Sequence, residues 1–221
     1  QYIPTGLCYL SAYLKRTLAA KVEIRILPLS ILNLNQLFNF NPDLIGFSAL
    51  THNFNMVRKM ASEIKKTVKN VPLVIGGQHI SMAPWSMPAE FDYAILGEGE
   101  EAFLIFVQTL LSGSVQSKTN CPGAQFWQNG KLTTVPKLGL IEPLDNIPFP
   151  DRDSVADIES IITLDSYRRF NKSGLRSMQV TTSRGCPYKC KFCQPSIMWD
   201  KFRLHSPEYI AEEINFIVSR Y

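Results

Sequence analysis

Apolar residues Leu7, Leu10, Leu14 and Leu18 recur every three or four positions, which predicts a helix over residues 6–18 with one apolar face. The period then changes to two. Val22, Ile24 and Ile26 alternate with Glu23 and Arg25, the pattern of a strand with one polar face near a sheet edge. After an asparagine-rich stretch, residues 44–47 form a short apolar run suited to a buried parallel strand. Val57, Met60, Ile64 and Val68 return to helical spacing across 53–69. Residues 72–75 and 92–96 read as the next two buried strands. A helix follows over 100–111, with acids in its first turn where the helix dipole favours them. Helices and strands that alternate with short links predict a parallel sheet covered by helices on both faces. The first helix has no strand before it, so an opening strand is expected upstream of Gln1.

From 113 to 174 the periodicity loosens. Asn129-Gly130, set between Phe126-Trp127 and Leu132, is a hairpin signal. Pro143, Pro148 and Pro150 mark an extended connector. Residues 178–183 read as a strand broken by Arg184-Gly185. Ser206-Pro207-Glu208 then supplies an N-cap, a first-turn proline and an acid. The helix behind it carries Ile210, Ile214, Ile217, Val218 and Tyr221 on one face. The expected organisation is an α/β domain over 1–115, a linker with a hairpin over 116–174, and the beginning of a second domain over 175–221. Gln1 stands where a methionine would, and Tyr221 falls within a helix, so both ends are expected to be cut.

Composition narrows the classes. With 45% hydrophobic and 19% charged residues, the 221-residue chain has the balance of an ordinary soluble globular protein. The net charge of +4 is spread along the chain, so charge points to neither nucleic acid nor a membrane surface. No apolar run has the length of a membrane span, and no signal peptide opens the chain. Three of the five cysteines fall within residues 186–193, which suits a reducing cytoplasm and a metal better than disulfides.

Those three lie in Arg184-Gly185-Cys186-Pro187-Tyr188-Lys189-Cys190-Lys191-Phe192-Cys193. Thiolates select iron–sulfur clusters, zinc or copper. A cubane is normally held by four cysteines, so three in one loop leave one iron open to something other than protein. Arg184, Lys189 and Lys191 add positive charge that favours metal loading. The loop also follows a strand end, where α/β enzymes place their chemistry. This spacing, with an aromatic before the last cysteine, resembles the signature of radical S-adenosylmethionine proteins. Residues 181–187 in front of it resemble that superfamily too. Trp199, Arg203 and Ser206-Pro207-Glu208 resemble the branch with a cobalamin-binding domain.

The resemblance implies that Cys186, Cys190 and Cys193 ligate a [4Fe-4S] cluster whose open iron binds S-adenosylmethionine, with Phe192 near the adenine. An electron from the cluster, fed by an external donor such as a flavodoxin or ferredoxin, would cleave the sulfonium to a 5′-deoxyadenosyl radical. The alternative from the residues alone is zinc, with His205 completing a Cys3His site, although the spacing departs from the common zinc patterns. Cys8 and Cys121 read as packing residues.

Three loops should open at the carboxyl edge of the first sheet, where open parallel sheets bind ligands. They are Ser48-Ala49-Leu50-Thr51-His52, Gly76-Gly77-Gln78-His79 and Gly97-Glu98-Gly99-Glu100. Glycines there let a bulky ligand approach the backbone, and a hydroxyl such as Ser48 can fix a polar group. A Ser-x-Leu followed by Gly-Gly one strand later resembles the cobalamin-binding fold of corrinoid proteins. The resemblance implies a Rossmann-like (flavodoxin-like) cobalamin-binding domain followed by the start of a radical S-adenosylmethionine (β/α) partial barrel. It assigns Ser48, Leu50, Thr51, Gly76, Gly77, Gln78, His79, Gly97, Glu98 and Gly99 to cobalamin. The Asp-x-His-x-x-Gly element that supplies an axial histidine in many corrinoid proteins is absent, and neither His52 nor His79 is assigned to the cobalt.

The expected function is reductive cleavage of S-adenosylmethionine with cobalamin as methyl carrier, for methyl transfer or rearrangement on a substrate the sequence does not name. No catalytic residue beyond the cofactor ligands is assigned. The competing reading is a non-catalytic α/β module that binds a small ligand and a structural zinc. Barrel strands that would hold the methionine and ribose are expected past Tyr221, so these 221 residues alone are expected to be inactive.

Overall fold

A computed structural model describes residues 3–28, 34–113, 121–163, 176–194 and 198–221. Parts of the expected linker, 116–120 and 164–174, lie outside the described residues. Packing groups the chain into two compact units. One holds residues 33–140 and 188–200, and the other holds 1–32, 141–187 and 201–221.

The first of these is built on a five-stranded sheet in the order β1 (Ile45–Ser48), β2 (Leu73–Gly76), β3 (Tyr93–Ile95), β4 (Ala124–Gln128), β5 (Lys131–Thr134). The β1–β2 and β2–β3 pairs are parallel, with Phe47 opposite Ile75 and Ile75 opposite Ala94. The Rossmann-like α/β arrangement is therefore present in the segment where periodicity predicts it. Helix α3 (Phe54–Thr67) buries Val57, Ala61 and Ile64, the stripe that an i, i+4, i+7 spacing places on one face. It follows α2 (Leu34–Phe40), and α4 (Gln78–Met82) and α5 (Glu100–Leu111) continue the alternation. Leu73, Ile75, Ile80 and Ala94 have no exposed surface, so the core sits on the central strands. Asp92 accepts hydrogen bonds from the Leu73 amide and the Lys65 ammonium, both at 2.7 Å, and so ties two strands to α3.

The hairpin departs from its place in a linker. Asn129 (φ 51°) and Gly130 (φ 76°) both take the left-handed region, the geometry of a two-residue hairpin turn. Strand β4 then pairs antiparallel with β3 through Tyr93 and Phe126, adding two strands to the parallel sheet. Strand β1 is an outer strand rather than a fully buried one. Ile45 is buried, whereas Gly46 and Ser48 are exposed.

The second unit joins α1 (Thr5–Leu18), α6 (Ile158–Thr163) and α7 (Pro207–Arg220) with turns and a two-strand ladder. In place of the expected strand at 22–27 there is an isolated parallel bridge, Ile26 to Val155. Ile3, Cys8, Ile26, Val155, Ile161 and Ile162 form one core cluster. The strand expected at 178–183 shrinks to β6 (Ser183–Arg184), antiparallel to β7 (Arg203–Leu204). Ser206 caps α7 as expected, its hydroxyl accepting from the Tyr209 amide at 3.1 Å.

The apolar face of α7 is covered only in part, with Ile210, Ile217 and Tyr221 half-buried. Tyr209 and Glu213 are buried, while Ile214 and Val218 are exposed. An ion pair accounts for the buried acid. Glu213 meets Arg152 at 2.5 Å with both side chains out of solvent, and Arg152 also donates to the Gln179 carbonyl at 2.8 Å. No described helix is long and apolar enough to cross a membrane.

Candidate cofactor site

Because β1, β2 and β3 run parallel, their carboxyl ends deliver Ser48–Thr51, Gly76–His79 and Gly97–Gly99 to one edge of the sheet. The first two loops are stitched together by backbone. The Ala49 amide donates to the Gly76 carbonyl at 3.0 Å, and the His79 amide donates to the Ala49 carbonyl at 3.1 Å. Gly77 makes that approach possible. At φ +94° its missing side chain leaves space that a Cβ would take up, 2.7 Å from the Ala49 carbonyl oxygen and 2.9 Å from the Ser48 hydroxyl. The Asn53 side chain accepts from the Leu50 amide at 2.8 Å, which turns the first loop back onto the start of α3. Ser48, Leu50 and Thr51 remain exposed at this edge.

Both ring nitrogens and one ring face of His79 are engaged. Its Nδ1 lies 3.1 Å from the Thr51 hydroxyl, its Nε2 lies 3.2 Å from the Ser86 hydroxyl, and its ring stacks on Phe54 at 3.9 Å. Burial lowers its pKa, which favours the neutral ring. Both ring nitrogens are thus engaged within the protein, consistent with His79 serving the loop rather than a cobalt. In the third loop, the Gly97 amide donates to Ser81 at 2.9 Å, and Glu98 accepts from the Trp199 indole at 3.0 Å. An open edge with exposed hydroxyls, an exposed leucine and glycine backbone suits a broad, flat ligand. The residues present fit a corrin.

The cysteine loop spans both units. Cys186 belongs with β6, and Cys190 and Cys193 belong with the sheet unit. Gly185 (φ +86°) fixes its start, since a Cβ there would run into the Lys201 carbonyl oxygen. The Cys193 amide donates to the Cys190 carbonyl at 3.0 Å, a tight turn within the motif. No disulfide joins any of the five cysteines. Cys190 is exposed, Cys186 and Cys193 are half-buried, and Phe192 is 93% exposed. Among the described residues, no group of three His, Cys, Asp or Glu side chains is gathered for a metal. The donor chemistry of three thiols fits an iron–sulfur cluster.

Cys8 is buried, and burial pushes its thiol up to about 12, the state of an inert packing residue. His205 is equally internal. Its Nδ1 meets Asp145 at 2.9 Å and its ring stacks on Tyr209 at 4.0 Å. That placement gives it a structural occupation and takes support from the zinc reading.

Pattern reading missed Phe54, Ser81, Ser86 and Asn53, which shape the edge. Asn53 was detectable as a turn residue ahead of a helix. The two serines carry no signal, because their partners come from distant loops.

Comparison with known proteins gives the same outline. Residues 1–107 match a family model described as the B12 binding domain. An uncharacterized methyltransferase, PH0819 of Pyrococcus horikoshii, is 30% identical over 99% of the chain and 46% of its own length. The cobalamin-dependent radical SAM methyltransferase TokK of Streptomyces tokunonensis is 29% identical over 79% of the chain and 25% of its own length. The chain thus spans less than half the length of either relative. The fold is shared with the cobalamin-dependent radical enzyme OxsB, solved with aqua-cobalamin and S-adenosylmethionine, at a TM-score of 0.75. That match has 19% identity and covers 99% of this chain and 29% of OxsB. The chain is a homologue of the radical S-adenosylmethionine proteins that carry an N-terminal B12-binding domain.

Proposed function

We propose that this chain is the cofactor-binding part of a cobalamin-dependent radical S-adenosylmethionine enzyme that transfers a methyl group or rearranges its substrate. The observation that carries the reading is the conjunction, in one chain, of the Cys186, Cys190 and Cys193 spacing with a B12-binding domain. Cys186, Cys190 and Cys193 hold the cluster, and Phe192, with its ring in solvent, is available to lie along the adenine. Gly77 lets the second loop close on the first at the edge where the corrin would sit, and Ser48 and Thr51 offer hydroxyls at its rim. When bound, the cluster supplies the electron that cleaves S-adenosylmethionine, and cobalamin supplies the methyl-carrying metal. The protein's part is to position these groups and keep water away. An external flavodoxin or ferredoxin delivers the electron. Three thiols kept out of disulfides suit the reducing cytoplasm.

Anaerobic reconstitution with iron and sulfide tests this directly. The brown protein should show a four-iron signal by electron paramagnetic resonance after reduction, and Cys190→Ala should abolish it. Hydroxocobalamin should co-elute with the wild-type protein. A colourless product with stoichiometric zinc would overturn the reading in favour of a non-catalytic module.

A further inference from the structure

The segment behind the cysteines returns to the carboxyl edge of the sheet and is bonded there at two points. The Trp199 indole N–H donates to the Glu98 carboxylate at 3.0 Å, and the Gln194 amide donates to the Gln78 carbonyl at 3.2 Å. Both contacts lie inside one compact unit, which holds residues 188–200 together with the sheet. Both acceptors sit in loops that the sequence assigns to cobalamin. Trp199 and Glu98 are half-buried, so the contact is shielded in part from competing water. An indole has a single donor and no acceptor, and a hydrogen bond to a carboxylate is stronger than one between neutral groups. The Met198 amide also donates to the Gln194 carbonyl at 3.0 Å.

We propose that Glu98 and Trp199 form a latch that fastens the segment following the cysteine loop onto the Gly97–Gly99 loop. Glu98 is then a positioning residue, not a direct cobalamin ligand, and a ligand seated on the edge is sensed by the segment that leaves Cys193. The cobalamin part of this inference rests on the proposed function. The latch itself rests only on the two hydrogen bonds.

Hydrogen–deuterium exchange on the full-length, anaerobically reconstituted protein separates the two. Peptides within 188–200 should exchange several-fold faster in Glu98→Ala and in Trp199→Phe than in wild type. Glu98→Gln, whose amide oxygen still accepts from the indole, should stay near wild type. Hydroxocobalamin should slow exchange in the same peptides of the wild type, and both Glu98→Ala and Trp199→Phe should weaken its binding by about tenfold. Wild-type exchange rates in Glu98→Ala would overturn the latch. So would cobalamin affinity lost in Glu98→Ala but kept in Trp199→Phe, because Glu98 would then touch the ligand itself. A wild type that binds no hydroxocobalamin, yet shows the predicted exchange in the variants, would sink the cobalamin reading and leave the latch standing.

Discussion

At Gly77 and Gly185 the backbone takes positive φ, 94° and 86°, and in each case a carbonyl oxygen occupies the volume where a side chain would begin. The two positions serve different ends. Gly77 lets the second loop of the sheet edge close on the first, and Gly185 lets the chain pass under Lys201 just before Cys186. Strain of this kind costs about 1–3 kcal/mol from φ alone, before the overlap is counted. The Gly185→Ala substitution should therefore destabilise the protein by at least about 2 kcal/mol in urea unfolding and reduce iron loading in parallel. An unchanged urea midpoint would show that Lys201 can yield. His79 makes a different point at the same scale. A loop histidine beside a cofactor edge invites a ligand assignment, yet Thr51, Ser86 and Phe54 occupy both ring nitrogens and one ring face.

Helix α7 shows at the level of an element how a buried charge can share a helix with a partly covered apolar stripe. Its cap and first turn follow the sequence signal, with Ser206 bonded to the Tyr209 amide. Its orientation follows the signal in part: Ile210, Ile217 and Tyr221 are half-buried, while Glu213 turns inward to Arg152 and Ile214 and Val218 stay outside. Two buried charges hold each other, so removal of one leaves the other unpaired. Glu213→Leu should cost about 3–5 kcal/mol, and Arg152→Met/Glu213→Leu should recover most of that loss. Urea unfolding of the two variants is the measurement. A double variant as unstable as the single one would mean that the loss does not come from an unpaired Arg152 charge. Asp151 repeats the pattern in milder form. Burial raises its pKa, but hydrogen bonds from Lys15, Ser11 and Ser154 outweigh that and hold the carboxyl below its ordinary value.

Across the whole molecule the two histidines with shifted titration sit one in each unit, and both shifts are downward. Burial lowers His79, and at His205 burial outweighs the Asp145 hydrogen bond that would raise it. Such rings take up a proton more readily in the unfolded chain, whose ordinary value is 6.5. Their contribution to stability is therefore complete above that value and declines as pH falls from it towards the folded pKa. The urea midpoint should be lower near pH 5.5 than near pH 7.5 by an amount that His205→Asn reduces. A midpoint equal at both values would count against neutral buried rings. The sequence by itself determined the elements whose cause is local: the α1 helix, though its buried positions are Cys8, Tyr9, Ser11, Leu14 and Leu18, the α3 stripe, three parallel strands, the Asn129-Gly130 turn, the Ser206 cap and the cysteine spacing. Each depends on residues a few positions apart, where periodicity and turn chemistry act. Only the tertiary structure decided that the hairpin extends the sheet, that 22–27 makes a single bridge, that α7 buries Glu213, and that Trp199 reaches Glu98. Those outcomes join residues 29 to 129 positions apart, and no local pattern carries the energy of a distant partner.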